Sequence, residues 1–150
     1  MMQGFHPKFT WEELIRTNHS SLQAQNIKEA LKYQNAGKRL SKLLGSIREA
    51  YGFPISITSG FRCPALNRAV GSKAKTSSHM RFEAADCIPV GKDFKHFFNW
   101  LNEHSIEFPD LRKAIIEHHK GLVHIEVKMD AEEPQVFYTT NDNVTFKAVA

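Results

Sequence analysis

The hydrophobic period of this chain changes at Tyr51-Gly52, and that change limits the fold more than any other feature. Before it, Ile27, Ala30, Leu31, Leu40, Leu43, Leu44 and Ile47 mostly keep the three- and four-residue spacing of one helix face. Phe9-Thr10-Trp11-Glu12-Glu13-Leu14 reads as a helix start, with Thr10 as cap and Glu13 closing a capping box. Asn26 with Glu29 predicts another such start, and Asn35-Ala36-Gly37 predicts a break between two helices. After Gly52 the pattern shortens. Pro54 to Thr58 alternates as a strand and stops at Ser59-Gly60, and Phe61 to Ser78 is rich in turn formers around one short helix near Ala65 to Val70. Glu83 to Ile88 predicts a strand and Lys92 to His104 a helix. Ala114 to Glu117, Leu122 to Val127, Val136 to Thr139 and Val144 to Val149 predict four further strands. Helices first and short strands later predict an α+β fold, N-terminal helices packed on a small, mainly antiparallel sheet.

A chain of 150 residues without linker, repeat or low-complexity stretch predicts a single domain over residues 1–150. No run approaches the roughly 18 apolar residues of a membrane span, so no membrane partner is expected. The first residues lack the apolar core of a secretory signal, which predicts a cytoplasmic location in the producing cell. Twenty Lys and Arg against 16 acids give a net charge of +4, suited to an anionic partner such as cell wall. The basic residues are scattered and not interleaved with aromatics, so nucleic acid is not expected as a partner. A monomer is the expectation. Cys63 and Cys87 fit neither a metal pair nor a redox motif and predict free, buried thiols; their pairing is not readable from sequence.

Most of the eight histidines fit surface or helix-side roles, among them His6, His19, His96 and His104. Three segments carry more. Ser77 to Asp86 sets the imidazole of His79 and the carboxylate of Asp86 on either side of a loop-to-strand transition, and both are good zinc ligands. Leu122 to Val127 alternates, with Val123, Ile125 and Val127 on one face and Leu122, His124 and Glu126 on the other. His124 then projects away from the core as a candidate third ligand, or as a partly exposed strand histidine. Ala114 to Glu117 precedes it. A two-residue turn at Lys120-Gly121 would set Glu117 directly opposite His124, on its face, whereas a longer loop changes that register.

Ile57-Thr58-Ser59-Gly60-Phe61-Arg62-Cys63-Pro64-Ala65-Leu66-Asn67 closely resembles a segment of zinc D-alanyl-D-alanine carboxypeptidases and related phage endolysin peptidases. Ser77 to Asp86 resembles that family's His-to-Asp motif, and Glu117 with Val123-His124 resembles its late Glu followed by a His-bearing strand. The resemblance runs over roughly residues 9 to 127, with the three segments in order. It implies the compact α+β fold shared with the zinc-binding hedgehog domain. It implies zinc bound by His79, Asp86 and His124, with Glu117 as general base and then proton donor to the departing amine. It implies Arg62 on the substrate carbonyl or oxyanion, and Ser77 in contact with substrate. The substrate it implies is a peptide bond in the stems of peptidoglycan, cut by a phage or prophage lysin once the wall becomes accessible.

One position departs from the pattern. Phe82 stands where the family has Gly, a residue that often marks positive φ or close backbone approach. The loop takes another path, or Phe82 lines the pocket as a substrate-binding residue and changes specificity, or activity is lost, or Phe82 is an ordinary core aromatic. The competing function is a zinc-stabilised module that binds cell wall or serves as a phage structural component without turnover.

Overall fold

In the computed structural model, which describes residues 2–72, 74 and 76–149, Thr10 caps the first helix. Its Oγ1 accepts from the Glu13 amide at 3.2 Å, ahead of α1 (Trp11–Ile15). The next start differs from the sequence expectation. Asn26 does not cap; it lies inside α2 (Gln23–Ala30), fully buried. Its side chain is satisfied by distant backbone, donating to the carbonyls of Ile15 (2.8 Å) and Phe61 (3.2 Å) and accepting from the Cys63 amide (2.7 Å). A residue type that favours caps thus serves here as a clamp between α2 and the loop carrying Arg62. The break also falls earlier than Asn35-Ala36-Gly37. A 3₁₀ turn at Leu31–Tyr33 separates α2 from α3 (Gln34–Tyr51), which Gly52 ends in a left-handed cap at φ 84°.

Gly37 belongs to the interior of α3, where a Cβ would come within 2.8–2.9 Å of the Phe82 ring. On the same helix Leu40, Leu43, Leu44 and Ile47 are buried in the core. Tyr51 closes the helix, and its hydroxyl meets His96 Nδ1 at 2.7 Å on α5 (Phe94–Glu103), itself capped by Asp93.

The strands are β1 (Ile55–Ser59), β2 (Ala84–Pro89), β3 (Leu111–Glu117), β4 (Leu122–Val127), β5 (Val136–Thr140) and β6 (Lys147–Ala148). A short helix, α4 (Pro64–Ala69), opens on Pro64 between β1 and β2. The sheet order is β1-β2-β4-β3-β5-β6. All pairs are antiparallel except β3 with β5, so the sheet is mainly antiparallel, as the sequence suggested, but mixed at that one pair. The reason is topological. β5 steps over β3 instead of returning beside β4; it reverses β4, β4 reverses β3, and β5 therefore runs with β3. The expected strand from Val144 to Val149 shrinks to Lys147–Ala148, and the residues before it form a loop.

The two sheet faces have different tasks. Ala85, Cys87, Ala114, Ile116, Val123, Ile125 and Val127 are buried in one core with the apolar faces of α3 and of α5 (Phe97, Phe98, Leu101). Each such Leu, Ile, Val or Phe side chain stabilises the fold by about 1.5–3 kcal/mol relative to exposure. The opposite face carries Asp86, Ile115, Glu117, His124 and Glu126. Cys63 and Cys87 are buried and free. No helix among the described residues is long and apolar enough to cross a membrane.

Candidate metal centre

β4 supplies the centre of the site because its alternation sends Val123 and Ile125 to the core and His124 and Glu126 to the other face. Asp86 of β2 pairs directly with His124. His79 arrives from the 3₁₀ turn Ser78–Arg81, whose start is capped by Ser77: its Oγ accepts from the His79 amide at 3.2 Å. Single donor atoms of His79, Asp86 and His124 lie within 4.8 Å of one another, and all three residues are buried.

Each imidazole is fixed from behind. His79 Nδ1 meets the Gly60 carbonyl at 2.7 Å; a carbonyl only accepts, so Nδ1 carries the proton and Nε2 faces Asp86 Oδ1 at 3.3 Å. Gly60 can take this place because it has no Cβ, which would sit 2.1 Å from the Leu14 carbonyl oxygen. His124 Nε2 donates to Glu126 Oε2 at 2.7 Å, which turns Nδ1 toward Asp86 Oδ1 at 3.0 Å. Glu126 is held in turn by Ser78 Oγ at 2.9 Å and by an ion pair with Arg112. A buried carboxylate behind a ligand histidine is the arrangement that fixes tautomer and ring orientation in metal sites.

The electrostatics agree with a cation site. Burial alone would raise the Asp86 pKa, but the imidazoles of His79 and His124 hold it well below the usual carboxylate range. Burial lowers the His79 pKa, and the neighbouring Asp86 carboxylate opposes that shift. With Nδ1–H donated to the Gly60 carbonyl, Nε2 of His79 and Oδ1 of Asp86 face each other at 3.3 Å, a gap that a proton or a metal ion can bridge. At His124 burial opposes charge, yet hydrogen bonds to Asp86 and Glu126 push its pKa up to about 10. The protein thus already places positive charge at the spot where a metal would replace a proton. Tetrahedral zinc with bonds of about 2.0–2.1 Å sets neighbouring ligand atoms about 3.3 Å apart. The observed 3.0 and 3.3 Å match that spacing.

Around these residues is a cavity of about 460 Å³ whose lining includes Arg62, Ser77, Glu117 and Asn143. The hairpin between β3 and β4 is longer than a two-residue turn. His118-His119-Lys120-Gly121 makes the loop, so His124 pairs with Ile115, and Glu117 with Leu122. The expected pairing of Glu117 with His124 is therefore corrected by two residues. Because faces alternate every residue, a two-residue shift leaves Glu117 on the His124 face. Glu117 is buried, its Oε1 accepts from Asn143 Nδ2 at 2.9 Å, and Lys120 Nζ lies 3.8 Å from the same oxygen. Arg62 is tied to the site through its amide, which donates to the His79 carbonyl at 3.1 Å. Its buried Nε has no hydrogen-bond partner among the described residues. Burial lowers its pKa, opposed by the negative charges of Asp86 and Glu117.

Phe82 does not line the cavity, which corrects its expected substrate contact. It adopts the left-handed conformation (φ 60°, ψ 32°) and turns its ring wholly into the core. There it meets Phe61, Trp11 and Phe5 at centroid distances of 5.3, 5.9 and 6.3 Å. A non-glycine residue in this region costs about 1–2 kcal/mol. Full burial of a phenyl ring, about 1.5–3 kcal/mol, offsets it. The sequence reads Asn26 only as a helix start and gives Glu126 and Asn143 no role in the site. For Glu126 a signal existed, its place two residues beyond His124 on the same strand face.

Two imidazoles and one carboxylate form a donor set suited to a single zinc-type metal ion, so the fold presents a candidate mononuclear metal site. The sequence matches the peptidase M15 family over residues 7–126, well over half of the chain, and the chain belongs to that family of zinc-dependent metallopeptidases. No match was found among curated proteins.

Proposed function

We propose that this chain is a zinc-dependent hydrolase of a peptide bond in bacterial peptidoglycan, a D-Ala-D-Ala carboxypeptidase or an endopeptidase of the endolysin kind. The observation that carries the reading is the convergence of His79 Nε2, Asp86 Oδ1 and His124 Nδ1, each ring fixed from behind, in a cavity shared with Glu117 and Arg62. The resemblance of Ile57 to Asn67 and of Ser77 to Asp86 to wall peptidases supports the substrate class, and the net charge of +4 suits an anionic wall.

His79, Asp86 and His124 would hold the zinc ion, which supplies Lewis acidity and lowers the pKa of water toward about 7. Glu117 accepts the proton of the attacking water as its oxygen bonds to the scissile carbonyl carbon. Arg62, at the cavity wall, sets fixed positive charge beside the carbonyl oxygen as that oxygen becomes negative. Glu117 then passes its proton to the amine nitrogen as the C–N bond breaks, which leaves the carboxylate ready for the next cycle. Ser77 stands at the cavity wall for substrate contact. The protein acts as a monomer on peptide stems after release from the producing cell, as a phage or prophage lysin does.

The test is mass spectrometry of peptidoglycan fragments incubated with the purified protein, with and without a zinc chelator. Loss of one D-Ala identifies the carboxypeptidase, and a new amine within a stem or crosslink identifies the endopeptidase. Fragments left intact by folded, zinc-loaded protein would overturn the reading.

A further inference from the structure

The residues that follow the family match take part in the site. Beyond residue 126 the chain adds β5 and β6, joined by a loop over residues 141–146. β5 runs parallel to β3 with Thr140 paired to Glu117, so the loop springs from the position beside that carboxylate. The loop is tightly built. The buried Thr140 hydroxyl donates to the Thr145 carbonyl at 2.7 Å and accepts from the Asn143 amide at 3.0 Å. Asp142 Oδ1 accepts from the amides of Val144 and Thr145 at 2.9 and 2.8 Å. These bonds set Asn143 in the left-handed region at φ 59°, where Asn is among the tolerated residues, and aim its Nδ2 at Glu117 Oε1 at 2.9 Å.

We propose that Asn143 is a positioning residue for Glu117, and that the β5–β6 loop completes the active site from outside the matched region. The proposal rests on Glu117 being the general base. Lys120 Nζ, the other group near Oε1, is exposed and stands 3.8 Å away. The Asn143 amide is therefore the short-range contact that orients the carboxylate. It occupies one oxygen and leaves the other to take the proton from water. Glu117 adjoins a hairpin loop, where a carboxylate without this partner has several rotamers open to it.

The test compares Asn143→Gly, Asn143→Asp, Glu117→Gln and Glu117→Ala in the zinc-loaded protein. Glycine keeps the positive φ and removes only the amide; aspartate keeps the shape and replaces a donor by a like charge. Expected for Asn143→Gly is a fall in kcat of about tenfold or more, the effect of losing a hydrogen bond to a charged group, with KM and zinc affinity unchanged. Asn143→Asp should fall further. In the nitrogen–proton spectrum the Asn143 side-chain amide should shift in Glu117→Ala, a readout that needs no substrate. Wild-type kcat in Asn143→Gly while Glu117→Gln is inactive, or an unmoved amide resonance, would overturn this inference and leave the base assignment standing. Turnover by Glu117→Gln would overturn the base assignment itself.

Discussion

The Nε2 of His124 donates to the Oε2 of Glu126 at 2.7 Å, and this bond decides which nitrogen of His124 faces Asp86. Both residues lie on one face of β4, so the strand carries a candidate ligand and the group that orients it. Ser78 and Arg112 hold Glu126 from two further sides. Glu126→Gln is expected to weaken zinc binding by about 10- to 100-fold, as loss of an orienting partner does. Competition against a chromophoric chelator measures this. An unchanged affinity would mean that the carboxylate only stabilises the fold.

Metal and proton compete at His124, which sets a pH signature. In metal-free protein the His124 pKa is raised from 6.5 to about 10. A raised histidine contributes stability that is complete below 6.5 and lost as pH climbs through about 10. Glu126 is held far below its ordinary 4.5 by His124 and Arg112 against the opposing effect of burial. Its contribution is present above 4.5 and lost as pH falls through its depressed folded-state value. Melting temperatures of the metal-free protein should therefore fall on both sides of a mid-pH plateau. Zinc should restore the alkaline side, because the metal takes the place of the His124 proton. An alkaline limb identical with and without zinc would contradict this.

Gly37 and Phe82 should behave as one unit. Phe82→Gly removes about 1–2 kcal/mol of left-handed strain but opens a cavity in the core that costs about 3–5 kcal/mol, for a net loss of about 1–4 kcal/mol. Gly37→Ala should destabilise the wild-type protein by about 1–3 kcal/mol, because its Cβ meets the Phe82 ring. In the Phe82→Gly background the same change should stabilise by about 1 kcal/mol through helix propensity. Denaturant titrations of the four proteins check this, and additive effects would count against the packing described.

Asn26 links the helical layer to Arg62, since it bonds the Phe61 carbonyl and the Cys63 amide on either side of it. Asn26→Ala removes the partner of the Phe61 carbonyl and of the Cys63 amide, at a cost of about 2 kcal/mol, while the Ile15 carbonyl keeps Gln23 Nε2 at 3.1 Å. Activity measured well below the melting temperature should fall with it, because the Arg62 loop loses its clamp. Loss of stability with full activity would remove Asn26 from the account of the site.

Much of the site could be read in the sequence because its parts are local. The alternation of Leu122 to Val127 predicts which residues leave the core, and a ligand face follows from it. Even the mistaken turn length left Glu117 on the correct face, since a two-residue shift preserves strand parity. What escaped the sequence depends on distant partners. Asn26 has the chemistry of a cap, and only the fold brings it to Phe61 and Cys63. Asn143 gains its meaning from a crossover that lays β5 beside β3. That crossover, made without β5 pairing to β4, also explains the mixed sheet. Phe82 could be placed only once Gly37 was seen beneath its ring. With its ring in the core, Phe82 no longer lends support to the reading of the chain as a binding module without turnover.

The central claim, that Glu117 moves the proton in hydrolysis at a zinc held by His79, Asp86 and His124, is tested most directly by one comparison. Peptidoglycan fragments are digested with wild type, with chelated wild type and with zinc-loaded Glu117→Gln, and the products are read by mass spectrometry. The account predicts one new terminus at a single type of bond with wild type only, while Glu117→Gln keeps its zinc and its fold. Equal cleavage by zinc-loaded Glu117→Gln, or cleavage that survives removal of the metal, would contradict it.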